Sequence, residues 1–436
     1  MGKIPKRVMI ISFDAVGERD LAFMRTLPHF AAFFEQAALC PKVDSVYPSI
    51  TYPAHTSIVT GRMPKNHGII NNTKLQPGRE RADWVYQRKY IRGTTLYDEA
   101  RKKGFRTAAL LWPVVGRSKI DYYVPEVMVT RRWQTQILVN AINGPVGYQL
   151  DLNRRFGHLR DGIRQPALDN FIQASALYTI RKYNPDLFLL HLTDVDTNRH
   201  IYGVDHPKVK EALRRHDARL GEIMTALSET GNMDDTSVII LGDHYQKDVD
   251  KISFLNHALW KEGLLTIKDG KLKDWQAIAK TCDGSCYLYL KDGKKASPAL
   301  QKKVRELMER LLSEDNAGIG RIFSAGEAAD RGADPSCFLM LEAKKGWYFL
   351  DGWEEPFQTV KEEKGQKMRG NHGYLPEEEG YQTFFAAKGC GIRPGPVNRR
   401  IALWDEGVTL AALMGLDLGE TDGSVINEIL EDGAAV

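Results

Sequence analysis

A hydroxyl, three carboxylates and three imidazoles stand out in this sequence: Thr51, Asp14, Asp196, Asp243, His200, His244 and His372. Thr51 lies in Pro48-Ser49-Ile50-Thr51-Tyr52-Pro53-Ala54-His55-Thr56-Ser57-Ile58-Val59-Thr60-Gly61, between a proline-bounded turn and an expected helix entrance. Backbone N–H groups without helical partners can face an anion there. A lone threonine before proline reads as an N-cap or turn residue. In company with the carboxylates and imidazoles it reads as a nucleophile for phosphorus beside two metal sites. Oxygen and imidazole donors suit zinc, with manganese or iron as alternatives. Two such ions roughly 3.5–4 Å apart would clamp the attacking and leaving oxygens of an in-line displacement, and one would lower the pKa of the Thr51 hydroxyl.

Rigid elements must hold these groups. The apolar run from Arg7 to Phe13 predicts a central parallel strand with Asp14 at its carboxyl end, the edge where open α/β sheets bind ligands. The strand Leu187 to Leu192 feeds Asp196 and His200, four residues apart and so on one face of a short helix. Ser237 to Leu241 is a third strand, ending at Asp243-His244, and glycines flank His372 in an expected tight loop. Helices are predicted over 21–34, 54–60, 95–103, 167–183, 207–228 and 406–414, and strands over 107–112 and 383–387, with a return loop at His67-Gly68.

Residues 74–93 mix Lys74, Arg79 and Arg81 with Trp84, Tyr86 and Tyr90. They make either a solvated loop or one whose aromatic and guanidinium groups suit a base or sugar phosphate. Residues 117–165 lose periodicity and read as a covering lid or as irregular surface. From 250 to 365 the elements shorten and charge rises, with strands expected over 286–290 and 337–341 and helices over 300–312 and 325–331. This is read as an α+β subdomain inserted into a core of 1–249 and 366–436.

The chain of 436 residues, 43% hydrophobic and 27% charged, can bury a large α/β core. A net charge of +4 with interspersed signs leaves no footprint for a nucleic acid polymer or for a membrane, so neither is expected as a partner. Five scattered cysteines, no signal-type leader and no bilayer-length apolar run lead to the expectation of a cytoplasmic protein.

Taken in order, Ile11-Ser12-Phe13-Asp14, Thr51-Tyr52-Pro53-Ala54-His55 running on to Gly61, His67-Gly68-Ile69-Ile70, Asp196-x3-His200, Asp243-His244 and Asn371-His372-Gly373 resemble the nucleotide pyrophosphatase/phosphodiesterase family of the alkaline phosphatase superfamily. The resemblance implies an alkaline-phosphatase-like three-layer α/β sandwich with a mostly parallel sheet. It also implies a two-metal phosphodiesterase or nucleotide pyrophosphatase working through a phosphothreonine that water then hydrolyses. Carried over, it makes Thr51 the nucleophile and a ligand of one ion with Asp14, Asp243 and His244. It makes Asp196, His200 and His372 the ligands of the other ion, and Asn72 a phosphate-oxygen donor. Tyr52 and His191 stand at the family's substrate-contact positions, and Trp84 of the 74–93 loop is added to them as a contact for a small phosphodiester or nucleotide. The sequence departs from the family with Ala54 for the usual Asn, Tyr245 for the usual Gly, and His191 for an aromatic. A phosphomonoesterase, drawing on a cation such as Arg62 or Arg79, or a phosphonate hydrolase, is the alternative within catalysis. A non-catalytic metal or phosphate-binding protein is the alternative outside it.

Overall fold

Arg7–Phe13 forms the strand its apolar run predicts. The structure, a computed structural model describing residues 4–359 and 368–431, places this strand inside a nine-stranded sheet. Val8 and Ile10 pack into one layer and Met9, Ile11 and Phe13 into the opposite one, as a strand covered on both faces requires. Each such side chain withdrawn from water contributes about 1.5–3 kcal/mol. Leu187–Leu192 and Thr236–Leu241 flank it, both parallel. Thr107–Leu110 and Tyr122–Val124 extend the parallel set on one side. On the other, Thr383–Gly389 runs antiparallel between Thr236–Leu241 and Ala38–Asp44.

Pro28–Phe34, Ala167–Tyr183 and Pro207–Glu229 cover the Phe13 face, while Thr51–Thr60, Leu96–Lys102 and Leu403–Leu413 cover the Ile10 face. This is the expected three-layer sandwich. The helix read over 21–34 is two, Leu21–Met24 and Pro28–Phe34, because proline cannot continue the first but starts the second well. Ala38–Asp44 is a strand despite Pro41, which falls at a break in register between Cys40 and Val43, where its missing N–H is tolerated. Part of the His67 return loop is a short helix, Pro64–His67. Helices Gln136–Asn143 and Val146–Phe156 occupy the region read as aperiodic.

Ala277–Cys282, Ser285–Leu290, Leu339–Ala343 and Ile319–Ser324 form a separate antiparallel sheet, packed with helix Pro298–Leu312. Lys247–Ser253 pairs with Gly346–Phe349, Phe357–Thr359 and Gly370–Asn371, and the last of these delivers the chain to His372. The expected subdomain boundary at 365 and 366 lies outside the described residues, as do Met1, Gly2, Lys3 and residues 432–436. No helix among the described residues is long and apolar enough to cross a membrane.

Candidate active site

Three adjacent parallel strands end on one side and bring their polar termini together. Asp14 follows Phe13, Asp243 and His244 follow Leu241, and Leu192 leads into helix Asp194–Tyr202, which carries Asp196 and His200. The helix expected from Ala54 begins at Thr51 itself, after an extended Ile50, and Gly61 closes it at φ 63°. Pro53 sits in the first turn, where it has no N–H to lose. The Tyr52 N–H donates to Oδ1 of Asn72 at 2.9 Å, which leaves the Asn72 NH2 as the group available to an anion.

Thr51 Oγ1 is 3.1 Å from Nε2 of His244, and that nitrogen is 3.5 Å from Oδ1 of Asp14 and 3.2 Å from Oδ2 of Asp243. A tetrahedron with metal–ligand bonds of about 2.0–2.1 Å has edges of roughly 3.3–3.4 Å, so these atoms fit one cation. Asp14 Oδ1 and Asp243 Oδ2 are buried with no hydrogen-bond partner among the described residues, which is the state of a donor set built for an ion. Asp196, His200 and His372 form a second trio. His200 donates from Nδ1 to Gly370 O at 2.8 Å, so its Nε2, 3.2 Å from Asp196 Oδ1, offers a lone pair when the ring is neutral. Gln246 Nε2 donates to Asp196 Oδ1 at 2.5 Å and holds it. The His244 and His372 rings, 4.2 Å between centroids, join the trios.

Charge follows the same division. Burial pushes the Asp14 and Asp243 carboxyls up, and Asp196 adds to the first and Asp14 to the second. Burial pushes His244 down, and with His200 nearby it brings His372 to about 3. Burial also opposes charge on Asp196 and His200, but their attraction prevails, raising His200 to about 9 and holding Asp196 below the usual carboxylate range. These His and Asp groups are of the kind that can hold a metal ion.

His55, His191 and Asp243 also approach one another. Both rings are already engaged. His55 Nδ1 donates to Thr51 O at 2.9 Å and its Nε2 meets Ser12 Oγ at 3.0 Å, which steadies the Thr51 turn. His191 lies between Leu111 O and Asp14 Oδ2, each at 3.1 Å.

A cavity of about 750 Å³ opens over the site, lined by Asp14, Thr51, Asn72, Trp84, Glu126, Asp196, His200 and His372. Trp84 is on its wall, but the substrate contacts expected from Tyr52 and His191 need correction. Tyr52 is buried beneath, edge to face with Trp84 at 5.2 Å, and its hydroxyl donates to Glu126 O at 3.2 Å. His191 is buried within the sheet, where it meets Asp14 and Leu111 O and lies 3.8 Å from the Glu126 carboxylate, and it is not on the cavity wall, because its strand turns that side chain inward. Tyr245 is also turned away, its ring 4.3 Å from the Arg199 guanidinium, which in turn pairs with Asp20.

Gln246, Glu126 and Asp283 were not anticipated. Gln246 follows the Asp243-His244 pair closely enough to have been weighed. Glu126 and Asp283 sit in segments without a motif. Burial raises Glu126 to about 7 and Asp283 to about 6. Asp283 lies 3.9 Å from His372 Nδ1.

Residues 8–375 match the family described as type I phosphodiesterase/nucleotide pyrophosphatase. A bis(5'-adenosyl)-triphosphatase of Xenopus laevis is 20% identical over 436 residues, covering 97% of this chain and 80% of that protein. An ectonucleotide pyrophosphatase/phosphodiesterase of Caenorhabditis elegans is 26% identical over 267 residues, covering 60% of this chain but 28% of that longer protein. Murine ectonucleotide pyrophosphatase/phosphodiesterase 5, solved as an inactive threonine-to-alanine form with AMP, superposes with a TM-score of 0.68 at 19% identity, covering 98% of this chain and 100% of that one. Its fold, of the alkaline phosphatase type, is the fold of this chain. Since the matched stretch runs from the first central strand past His372, the chain belongs to the type I phosphodiesterase/nucleotide pyrophosphatase family.

Proposed function

We propose that the protein hydrolyses phosphodiester or phosphoanhydride bonds of small molecules, nucleotides among them, with Thr51 as covalent nucleophile. The observation that carries this reading is the Thr51 hydroxyl at a helix entrance, 3.1 Å from His244 Nε2 and beside two trios of ligand type. Asp14, Asp243, His244 and Thr51 would hold one divalent ion, and Asp196, His200 and His372 the other. Zinc matches their imidazole and carboxylate donors best, with manganese or iron as alternatives. When bound, the ions supply positive charge that favours the Thr51 alkoxide and neutralises phosphoryl oxygens. Thr51 Oγ gives up its proton to solvent and attacks phosphorus, the bond to the leaving oxygen breaks as that oxygen takes up a proton from solvent, and a phosphothreonine ester forms. Water then attacks phosphorus and restores the hydroxyl. Asn72 donates its NH2 to a phosphoryl oxygen, and Trp84 offers an aromatic face to a base or sugar.

The AMP-bound murine neighbour and the diadenosine-triphosphate-cleaving frog relative support a nucleotide substrate. The monoester alternative needs a free cation at the phosphate. Arg79 pairs with Asp83 at 3.0 Å, Arg62 lies off the cavity wall and the wall residue Lys280 is tied to Asp351 at 2.6 Å, while of the two wall arginines Arg160 stands over the Phe171 ring and Arg81 is the guanidinium a monoester would draw on. The names of the matched family and of the frog relative favour a diester or anhydride. We further read 1–249 and 366–436 as the catalytic core and 250–365 as an insertion that lends Lys280 and Asp283 to the cavity.

Zinc-loaded protein should turn over bis-p-nitrophenyl phosphate faster than p-nitrophenyl phosphate. Thr51→Ala should abolish turnover while retaining zinc. Preference for the monoester would move the assignment to a phosphatase, and undiminished activity in Thr51→Ala would remove the nucleophile.

A further inference from the structure

A turn of the inserted sheet reaches the site. Ala277–Cys282 and Ser285–Leu290 pair in antiparallel register with Cys282 opposite Ser285, so Asp283 and Gly284 alone make the turn, and Asp283 takes φ 65°. Aspartate is among the few residues that adopt this left-handed backbone readily. The turn is pinned by its surroundings. The Asp283 N–H donates to Thr281 Oγ1, the Phe349 N–H to Asp283 O and the Asn71 NH2 to Thr281 O, each at 2.8 Å. It also grips the loop that bears His372. The Gly284 N–H donates to His372 O at 2.7 Å, and at Gly373, φ 89°, a Cβ would stand 1.8 Å from Cys282 O. Glycine alone lets the two backbones come so close.

The second trio is held member by member, with one exception. Gln246 holds Asp196, and Gly370 O fixes the ring of His200. The Nδ1 of His372 is buried without a hydrogen-bond partner among the described residues. A buried ring nitrogen left in that state is uncommon and calls for a polar neighbour. The Asp283 carboxylate, on the cavity wall, lies 3.9 Å from that nitrogen. This is beyond a direct hydrogen bond and within reach of one through a single water or a small turn of either side chain.

We propose that Asp283 is the positioning residue of the second ion site, its carboxylate accepting the Nδ1–H of His372 and so leaving Nε2 of that ring for the cation. The inference rests on the reading that Asp196, His200 and His372 hold a divalent ion. Asparagine would serve the left-handed turn as well as aspartate, so the turn by itself does not account for an acid there. A carboxylate behind an imidazole whose other nitrogen faces a cation does account for it, since it fixes the tautomer and makes the ring a better donor. The inserted sheet thereby takes part in the chemistry, because its turn sets the direction of a ligand carried by another loop.

Zinc titration of the full chain against a competing chelator tests this without reference to turnover. His372→Ala marks which of the two binding steps belongs to the second trio. Asp283→Gly accepts φ 65° and removes the carboxylate, and it should weaken the marked step about 10–100-fold while leaving the other step unchanged. Asp283→Asn keeps the backbone and an acceptor but loses the charge, and it should fall between wild type and Asp283→Gly. Far-UV circular dichroism and the Tm of the chelated protein report whether each variant is folded. A role confined to the turn would lower that Tm and leave both zinc steps alone, and this result overturns the inference. If Asp283→Gly does not fold, an unchanged marked step in Asp283→Asn overturns it instead. Loss of the marked step as complete as in His372→Ala would make Asp283 a ligand and also remove the positioning role. Should His372→Ala itself leave both steps intact, the two-ion reading fails and the inference with it, an outcome distinct from an effect of His372→Ala that the Asp283 variants do not share.

Discussion

Nε2 of His191 lies 3.1 Å from Oδ2 of Asp14, and the other oxygen of that carboxylate is buried without a hydrogen-bond partner among the described residues. Leu111 O fixes the second nitrogen of the ring, so His191 can hold Asp14 in one orientation, with Oδ1 turned toward His244 and Thr51. A residue one layer behind a ligand typically accounts for 10–100-fold in metal affinity. His191→Phe keeps an aromatic volume and removes the contact. Zinc titration against a competing chelator should show affinity lowered by about that factor, with kcat largely restored at saturating zinc. Unchanged affinity in a folded variant would dismiss the positioning role.

Asn72 has two separable functions. Its Oδ1 accepts the Tyr52 N–H, and its NH2 is left for a phosphoryl oxygen. Asn72→Ala should lower kcat by roughly 10²–10³, the usual cost of one transition-state donor, and should also cost about 1–3 kcal/mol of stability through the abandoned N–H. Asn72→Asp keeps the acceptor but presents a carboxylate to the phosphate. It should lose as much kcat while keeping the wild-type Tm. Equal Tm losses in the two variants would detach the structural role from Oδ1.

The strands that carry Asp14, Asp196 and Asp243 were legible because a strand buried on both faces must be a continuous apolar run, and Arg7–Phe13 and Leu187–Leu192 fell where that pattern put them. The metal-type trios were legible because their members close such runs or share a helix face. Less could be read where tertiary context decides. Pro41 hides a strand that tolerates it only at a register break. Ile137 and Leu138 hide the period of an eight-residue helix by being apolar on its outer side. Whether His191 faced the cavity or the sheet depended on the direction of one side chain at a strand end. Glu126 and Asp283 reach the site from segments distant in sequence, which spacing cannot reveal.

Metal removal should have a pH signature. In the protein without ions, burial raises Asp14 and Asp243 above their unfolded values, so their contribution is full below about pH 3.9 and declines as pH rises through the folded values. His200, raised to about 9, contributes fully below about 6.5 and loses that contribution as pH rises through 9. Above pH 7 His372, lowered to about 3, is neutral in both states and adds no slope. All the sloping groups therefore destabilise the chelated protein as pH rises. Differential scanning calorimetry should show a Tm gain on adding zinc that is larger at pH 8.5 than at pH 7, and a gain independent of pH would separate these groups from ion binding.

Glu342 ties the inserted sheet to both ends of the site. Its carboxyl accepts from the Tyr47 hydroxyl and from the Leu375 N–H, each at 2.9 Å, and these residues stand four before Thr51 and three after His372. Burial raises the group from 4.5 to about 8. Below about pH 4.5 it is protonated whether the chain is folded or not. Between there and about 8 the folded state retains a proton that the unfolded state has released, so stability falls with rising pH by about 1.4 kcal/mol per unit within that window. Glu342→Gln keeps a neutral side chain of the same shape and an acceptor for Leu375. In zinc-loaded protein, where ligand titration is suppressed, denaturant unfolding should show a shallower loss of stability from pH 5 to 8 for the variant, with its advantage over wild type growing toward pH 8. If the two slopes coincide, the proton resides elsewhere. The Tyr47–Glu342–Leu375 link is then held by an ionised carboxylate, and the inserted sheet can carry that charge without weakening its hold on the turns bearing Thr51 and His372.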